Sequence, residues 1–141
     1  MKESIIACEE AVSRFCRLQM NVKRDLPIRA SEMGALIFVG KCQEPTTPLM
    51  ISNFFGIAKP SVTEMVNSLL KKDYLIKIPS QVDKRSYTLK VTAKGQDLLH
   101  STYRDYFKAL EILEERMGAE EFQVFVQLLE KANNILGEER K

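Results

Sequence analysis

The sequence predicts a mainly α-helical fold carrying one small β-hairpin, on three observations. Apolar residues recur at helical spacing along most of the chain. Two of the expected helices meet at a tight turn containing Gly56. Between residues 75 and 91 the period changes from helical to alternating, on either side of a charged tip.

The first helix is expected over residues 4–22. Ile5, Cys8, Val12, Phe15, Gln19 and Val22 fall at alternating steps of three and four, a heptad-like seam interrupted by Gln19. Such a seam needs a partner surface, and Pro27 ends the region. Ser31 is expected to cap the second helix, with Glu32 in its first turn. Met33, Leu36, Ile37 and Val39 supply its apolar face. Gly40 and residues 44–48 close it, because proline lacks the donor a helix needs.

Thr47 caps a short third helix, with Pro48 at the favoured first position. Leu49, Ile51, Phe54 and Phe55 fill it, and Gly56 falls where a left-handed cap is required. The fourth helix should run from about Lys59 to Asp73. Winding it puts Val62, Met65, Val66, Leu69 and Leu70 on one face. Pro60, Thr63, Glu64, Asn67, Ser68 and Lys71 take the opposite face.

Leu75 to Ile78 then reads as a strand, with Ile76 and Ile78 on one face. After Pro79-Ser80 a charged loop leads into a second strand, Tyr87 to Val91. The tip of this hairpin carries Asp83, Lys84 and Arg85. Thr92 caps a fifth helix that continues through Leu98, Leu99, Tyr103, Tyr106, Phe107, Leu110, Leu113 and Met117 to Gly118. At about 26 residues it would be roughly 39 Å long, more than a small local core can cover. A sixth helix, Ala119 to Leu136, shows Phe122, Phe125, Val126, Leu129 and Leu136. The apolar excess at both ends predicts that they pack together and continue across a two-fold axis into a second copy.

A chain of 141 residues with 45% apolar content fits one domain with a real core. No apolar run approaches bilayer length and no charged-then-apolar leader opens the chain, so a cytoplasmic location without membrane contact is expected. Cys8, Cys16 and Cys42 are an odd count without paired spacing, and His100 is the single histidine. No metal or cofactor is expected from them, and buried, reduced thiols are the simplest reading. Cys8 and Cys16 would sit about 12 Å apart along one helix, too far for a disulfide. No glycine-rich phosphate loop or nucleophile–base constellation is visible, so no catalytic residue is assigned and an enzyme is not expected.

The net charge of +2 is unevenly spread. From Gly56 to Gly95 eight bases face three acids, a local excess of five positive charges, and the rest of the chain is net negative. A basic centre of this kind suits an anionic partner such as a phosphate backbone. A major groove is wide enough for one helix, and the polar face of the fourth helix fits that role. The hairpin would reach the adjacent minor groove, where Arg85 suits a narrow, strongly negative site. Asp83 is expected to pair with Arg85 and hold the turn.

These residues resemble the multiple antibiotic resistance regulator (MarR) family of winged-helix transcription factors. The most specific part is the wing signature Asp-x-Arg…Leu-Thr-x-x-Gly, present as Asp83 to Gly95 with Val91 in place of the usual leucine. The stretch TTPLMISNFFGIAKPSVTEMVNSLLKKDYLIK is similar to the family's third helix, turn and recognition helix. The resemblance implies a winged helix-turn-helix core, residues 31–95, between an N-terminal dimerisation helix, residues 1–30, and C-terminal dimerisation helices, residues 96–141, in one intertwined domain. It implies a homodimer that binds pseudo-palindromic double-stranded DNA, usually as a repressor, and often releases it on binding a small aromatic or anionic effector.

DNA-contacting candidates are Lys59, Pro60, Ser61, Thr63, Glu64, Asn67, Lys71, Lys84, Arg85 and Ser86, with Asp83 stabilising the wing. Glu64 stands where the family often has a base. It can accept from a cytosine amino group, pair with a nearby cation, or weaken the attraction to the backbone. Ala58 lacks the common capping hydroxyl, and Ser61 is the alternative phosphate contact. An effector pocket is placed near Phe15, Met20, Phe38 and the start of the fifth helix. Cys16 is the candidate for a peroxide-sensing thiol, as in one branch of the family, although the tyrosine pair of that branch is not evident. A redox-sensing repressor of this fold and a winged-helix protein-interaction module are the alternatives. The latter would not need a basic wing.

Overall fold

The computed structural model of the chain describes residues 2–22 and 25–139. The elements run α1 (Glu3–Asn21), α2 (Ala30–Lys41), α3 (Pro48–Phe55), α4 (Lys59–Lys71), β1 (Leu75–Pro79), β2 (Tyr87–Val91), α5 (Ala93–Tyr106), α6 (Lys108–Met117) and α7 (Ala119–Glu139). The fold is mainly helical with one antiparallel hairpin, as the periodicity predicts.

The core sits in the middle of the chain. Met33 and Leu36 of α2, Ile51 of α3, Val62, Val66 and Leu69 of α4, Leu75 of β1 and Leu89 of β2 converge there, with Leu98 of α5 closing one side. Burying one such side chain contributes roughly 1.5–3 kcal/mol, so this cluster fixes how α4 lies against the rest. By contrast, no residue of α1 or α7 is buried within the chain. Phe15 of α1 meets Phe125 of α7 edge to face at 5.7 Å. The expected seam on α1 is therefore open: Ile5 and Val12 are exposed, and Val22 follows the helix as its C-cap. Cys8 and Cys16 are exposed with it and Cys42 is half-buried, so none of the three thiols lies in the core, contrary to expectation.

Local signals act where they were read. Thr47 Oγ1 accepts the Met50 N–H at 3.2 Å, and Gly56 is left-handed at φ 65°. The N-cap of α4 is Ala58, which offers no side-chain bond. The α2 start differs: the helix begins at Ala30 with Arg29 as N-cap, and Ser31 lies inside the first turn. Backbone accounts for this, since the Arg29 carbonyl already accepts the Met33 N–H at 2.9 Å. The end of α4 also differs. Asp73 takes φ 64°, its N–H meets the Leu70 carbonyl, and the Tyr74 N–H meets that of Leu69. Those two bonds form a Schellman cap, which stops the helix at Lys71.

The predicted long fifth helix is two helices broken at Phe107, which sits at φ −92°, ψ 6°. The Tyr106 and Phe107 rings meet edge to face at 4.8 Å, and Tyr103 joins Phe107 at 4.6 Å. Neighbours in sequence point away from each other on a regular helix, so contact between the rings of residues 106 and 107 goes with a local departure from helical geometry.

Candidate nucleic-acid interface

Two side chains fasten α4 to its surroundings, and the rest of its outer face is left open. Ser68 was expected to face outward. It is half-buried and donates to Glu32 Oε2 at 2.8 Å. Lys72 reaches the same oxygen at 3.5 Å, and Arg29 Nε lies 3.9 Å from Oε1. Glu32 is 3% exposed, so a buried carboxylate on α2 locks the last turn of α4. Lys59, Pro60, Ser61, Thr63, Glu64, Asn67 and Lys71 all remain exposed. Thr63 donates its hydroxyl proton to the Lys59 carbonyl at 3.0 Å and presents only its lone pairs outward. Ser61 and Glu64 also line a hollow between α2 and α4, of about 390 Å³, together with Arg29, Ser31 and Lys72. Glu64 shares that hollow with Arg29 and Lys72 but forms no ion pair with a described residue.

The hairpin pairs Leu75 with Val91, Lys77 with Leu89 and Pro79 with Tyr87. Leu89 enters the core, and the Lys77 ammonium sits 4.4 Å from the centre of the Tyr87 ring. The turn is built by short polar side chains. Ser80 Oγ accepts the Val82 and Asp83 N–H groups at 3.3 Å each. Asp83 Oδ1 accepts the Arg85 N–H at 3.0 Å, and Asp83 Oδ2 accepts from the Ser86 hydroxyl at 3.2 Å. The expected pairing of Asp83 with Arg85 therefore runs through backbone rather than guanidinium. Ser86, a predicted contact, has its hydroxyl engaged inside the turn. Lys84 and Arg85 are exposed at the tip, beside Val82, which is 98% exposed. In sequence nothing distinguishes Val82, an apolar tip residue, from a strand residue.

Behind the turn, Thr92 and Gly95 of the wing signature have structural tasks. Thr92 Oγ1 donates to the Asp73 carbonyl at 2.6 Å and accepts the Gly95 N–H at 3.0 Å. A Cβ on Gly95 would collide with the Tyr74 carbonyl oxygen and Val91 Cγ1. The signature thus welds the end of α4, the return strand and the start of α5 into one piece.

Among the described residues no ring contact joins Phe15 to Phe38, two members of the expected effector pocket. Phe15 packs on Phe125, Phe38 joins Phe54 at 4.6 Å and Phe55 at 5.9 Å, and Met20 is exposed. Cys16 stands exposed on α1. Among the described residues no group of three or more His, Cys, Asp or Glu side chains could hold a metal ion, and no helix is long and apolar enough to cross a membrane.

No protein-family model and no curated protein matches the sequence. Solved structures do share the fold, and MarR-family transcriptional regulators recur among them. The MarR C80S mutant from E. coli complexed with operator DNA is 19% identical, covering 92% of this chain and 95% of its own, with a TM-score of 0.78. A MarR/EmrR family transcriptional regulator from Acinetobacter sp. ADP1 is 21% identical, covering 96% of this chain and 98% of its own, at 0.75. Streptococcus pneumoniae FabT in complex with DNA is 26% identical, covering 99% of this chain and 100% of its own, at 0.70. The chain has the MarR-type winged-helix fold over nearly its whole length.

Proposed function

We propose that this chain is a sequence-specific regulator of transcription that binds double-stranded DNA as a homodimer. The observation that carries the reading is the conjunction of an open polar face on α4 with a hairpin tip that holds Lys84 and Arg85 outward. In this reading α4 enters a major groove, where Ser61, Thr63, Glu64 and Asn67 meet base edges or phosphates. Lys59, Pro60 and Lys71 lie at the two ends of that contact. The wing follows the backbone, and Arg85 enters the adjacent minor groove with Lys84 and Ser86 alongside. Val82 meets the apolar sugar wall of the same groove.

The domain division follows from this. Residues 31–95 form the DNA-binding part, and the segments 1–30 and 96–141 pair with a second copy. The dimer is supported by the two terminal helices, which bury nothing within one chain yet expose Ile5, Val12, Val124, Leu128 and Leu136. Neighbours of this fold solved with DNA support the DNA-binding part of the reading; repression at a pseudo-palindromic operator, relieved by a small molecule, is the mode proposed with it. An enzyme is not part of the proposal.

The test is selection of bound sequences from a random duplex pool, followed by fluorescence anisotropy on the enriched site at several salt concentrations. The expected enriched site has two related halves with centres about 34–36 Å apart, and affinity falls steeply with salt. No enrichment, or binding independent of salt, overturns the reading.

A further inference from the structure

We propose that the hollow at the root of the wing binds a small uncharged molecule with one hydrogen-bonding group on an apolar body. The hollow holds about 400 Å³ and lies between the end of α2, the loop 42–46 and the hairpin. That volume falls within the range of ligand sites, roughly 300–1,000 Å³. One wall is the hairpin face that carries Ile78 opposite Thr88. The apolar Ile78 side chain is otherwise half in solvent, without a core to join. Val39, Leu89 and Val91 also border the hollow, the first two with nearly all their surface already in the core.

Two features set the chemistry. The first is Thr46, which lines the hollow and is 1% exposed. Among the described residues its hydroxyl has no hydrogen-bond partner. A buried hydroxyl left so is costly, and a ligand atom that meets it recovers that cost. The second is charge: Lys90 and Glu44 both border the hollow and cancel, so no net field offsets the burial of an ion. A neutral molecule, an alcohol, phenol or amide on a small hydrocarbon frame, satisfies both conditions.

The site is placed to act on the wing. The Leu89 N–H donates to the Thr46 carbonyl at 2.7 Å, an isolated bridge that ties the return strand to the loop before α3. An occupant held by the Thr46 hydroxyl works on the residue that anchors β2, and so on the aim of Arg85. This coupling rests on the DNA-binding reading above, whereas the binding itself does not.

The experiment titrates the ¹⁵N-labelled full chain, without DNA, with phenol and separately with benzoate, following backbone amide shifts. The expected result is saturable phenol shifts confined to residues 39–46 and 88–91, with benzoate at least about tenfold weaker. Thr46→Val keeps the shape and removes the hydroxyl, and phenol should bind it about tenfold more weakly. Ile78→Asp, at a half-exposed position, puts a charge in the wall and should abolish binding; it decides the matter if Thr46→Val does not fold. Absence of saturable shifts overturns the site, as do shifts mapping elsewhere, benzoate binding as well as phenol, or wild-type binding by Ile78→Asp. A chain that binds phenol at these amides but no DNA keeps the site and loses only its coupling.

Discussion

Asp83 accepts the backbone N–H of Arg85 at 3.0 Å, and this bond leaves the Arg85 guanidinium outside any ion pair among the described residues. An acid two residues before a base thus shapes the chain without neutralising the charge it positions. Asp83→Ala should weaken DNA binding about fivefold, because the turn loses the Arg85 and Ser86 bonds together. Asp83→Asn, which keeps an acceptor oxygen, should retain most of the affinity. Both variants should melt within about 2 °C of the wild type, since the tip is remote from the core. Anisotropy titration beside thermal melting separates these outcomes; equal loss in both variants would mean that charge rather than shape matters.

Arg85→Ala should weaken binding to specific and random duplexes alike. One fewer phosphate-proximal cation lowers the slope of log affinity against log salt by about one unit. Asn67→Ala, on the open face of α4, should instead cost about 1–3 kcal/mol at the selected site and little on random DNA. Measuring both variants on both duplexes at four salt concentrations distinguishes a backbone contact from a base contact. An unchanged slope for Arg85→Ala would remove the wing from the interface.

Gly95 cannot carry a side chain without displacing the Tyr74 carbonyl or Val91. Gly95→Ala should therefore destabilise the fold by about 2 kcal/mol, the usual cost of overpacking a tight contact. Helix propensity works in the opposite direction, since alanine is favoured over glycine inside a helix by about 1 kcal/mol. The clash outweighs that gain, so the net sign is destabilising. Denaturant melts read the change directly, and a stabilised Gly95→Ala variant would show that α5 can shift away from β2.

The Glu32 carboxylate is the buried partner of Ser68 and Lys72. The Ser68 bond is shorter and better shielded than the Lys72 contact, whose lysine side chain is 45% exposed. Glu32→Ala should cost about 2 kcal/mol of stability, and Lys72→Met less than about 0.5 kcal/mol because water screens that pair. A double-mutant cycle on Glu32 and Ser68 should show the stronger coupling. If Lys72 couples more strongly than Ser68, the lock on α4 is electrostatic instead.

Such links mark the boundary of what a linear reading reaches. Thr47, Gly56 and Thr92 were legible because a cap acts on residues within one turn of itself. The face division of α4 was legible because a single helix has one period. Ser68 was misplaced for the same reason: periodicity puts it near the edge of the polar face, and only the arrival of Glu32 from α2 turns it inward. The break at Phe107 depends on how three aromatic rings stack, and a continuous apolar pattern conceals it. The Thr46–Leu89 bridge joins residues far apart in sequence, and no local signal marks Thr46 as the edge partner of a strand. The open polar face and the charged tip were thus visible from spacing, while the bonds that aim them were not.

The terminal helices carry the last prediction. On α7, Leu128 and Ile135 stand seven residues apart, as do Leu129 and Leu136, and all four are exposed. Two sets at heptad spacing describe a seam made for another helix rather than for water. Phe122 and Phe125 stand beside one another nearer the start of α7, and Phe125 meets Phe15, so aromatic rings link the two terminal helices. Leu128→Glu combined with Leu136→Glu places two carboxylates in that seam without touching the winged-helix core. Sedimentation equilibrium should show the wild type at twice the 16.2 kDa chain mass and the double variant at the chain mass itself. Far-UV dichroism of the variant should remain helical. Its affinity for a full operator should fall toward that for a single half-site, because the second half no longer binds as part of the same molecule. A variant that stays dimeric would place the partner surface elsewhere; one that turns monomeric yet still holds the full operator tightly would mean each chain recognises its site alone.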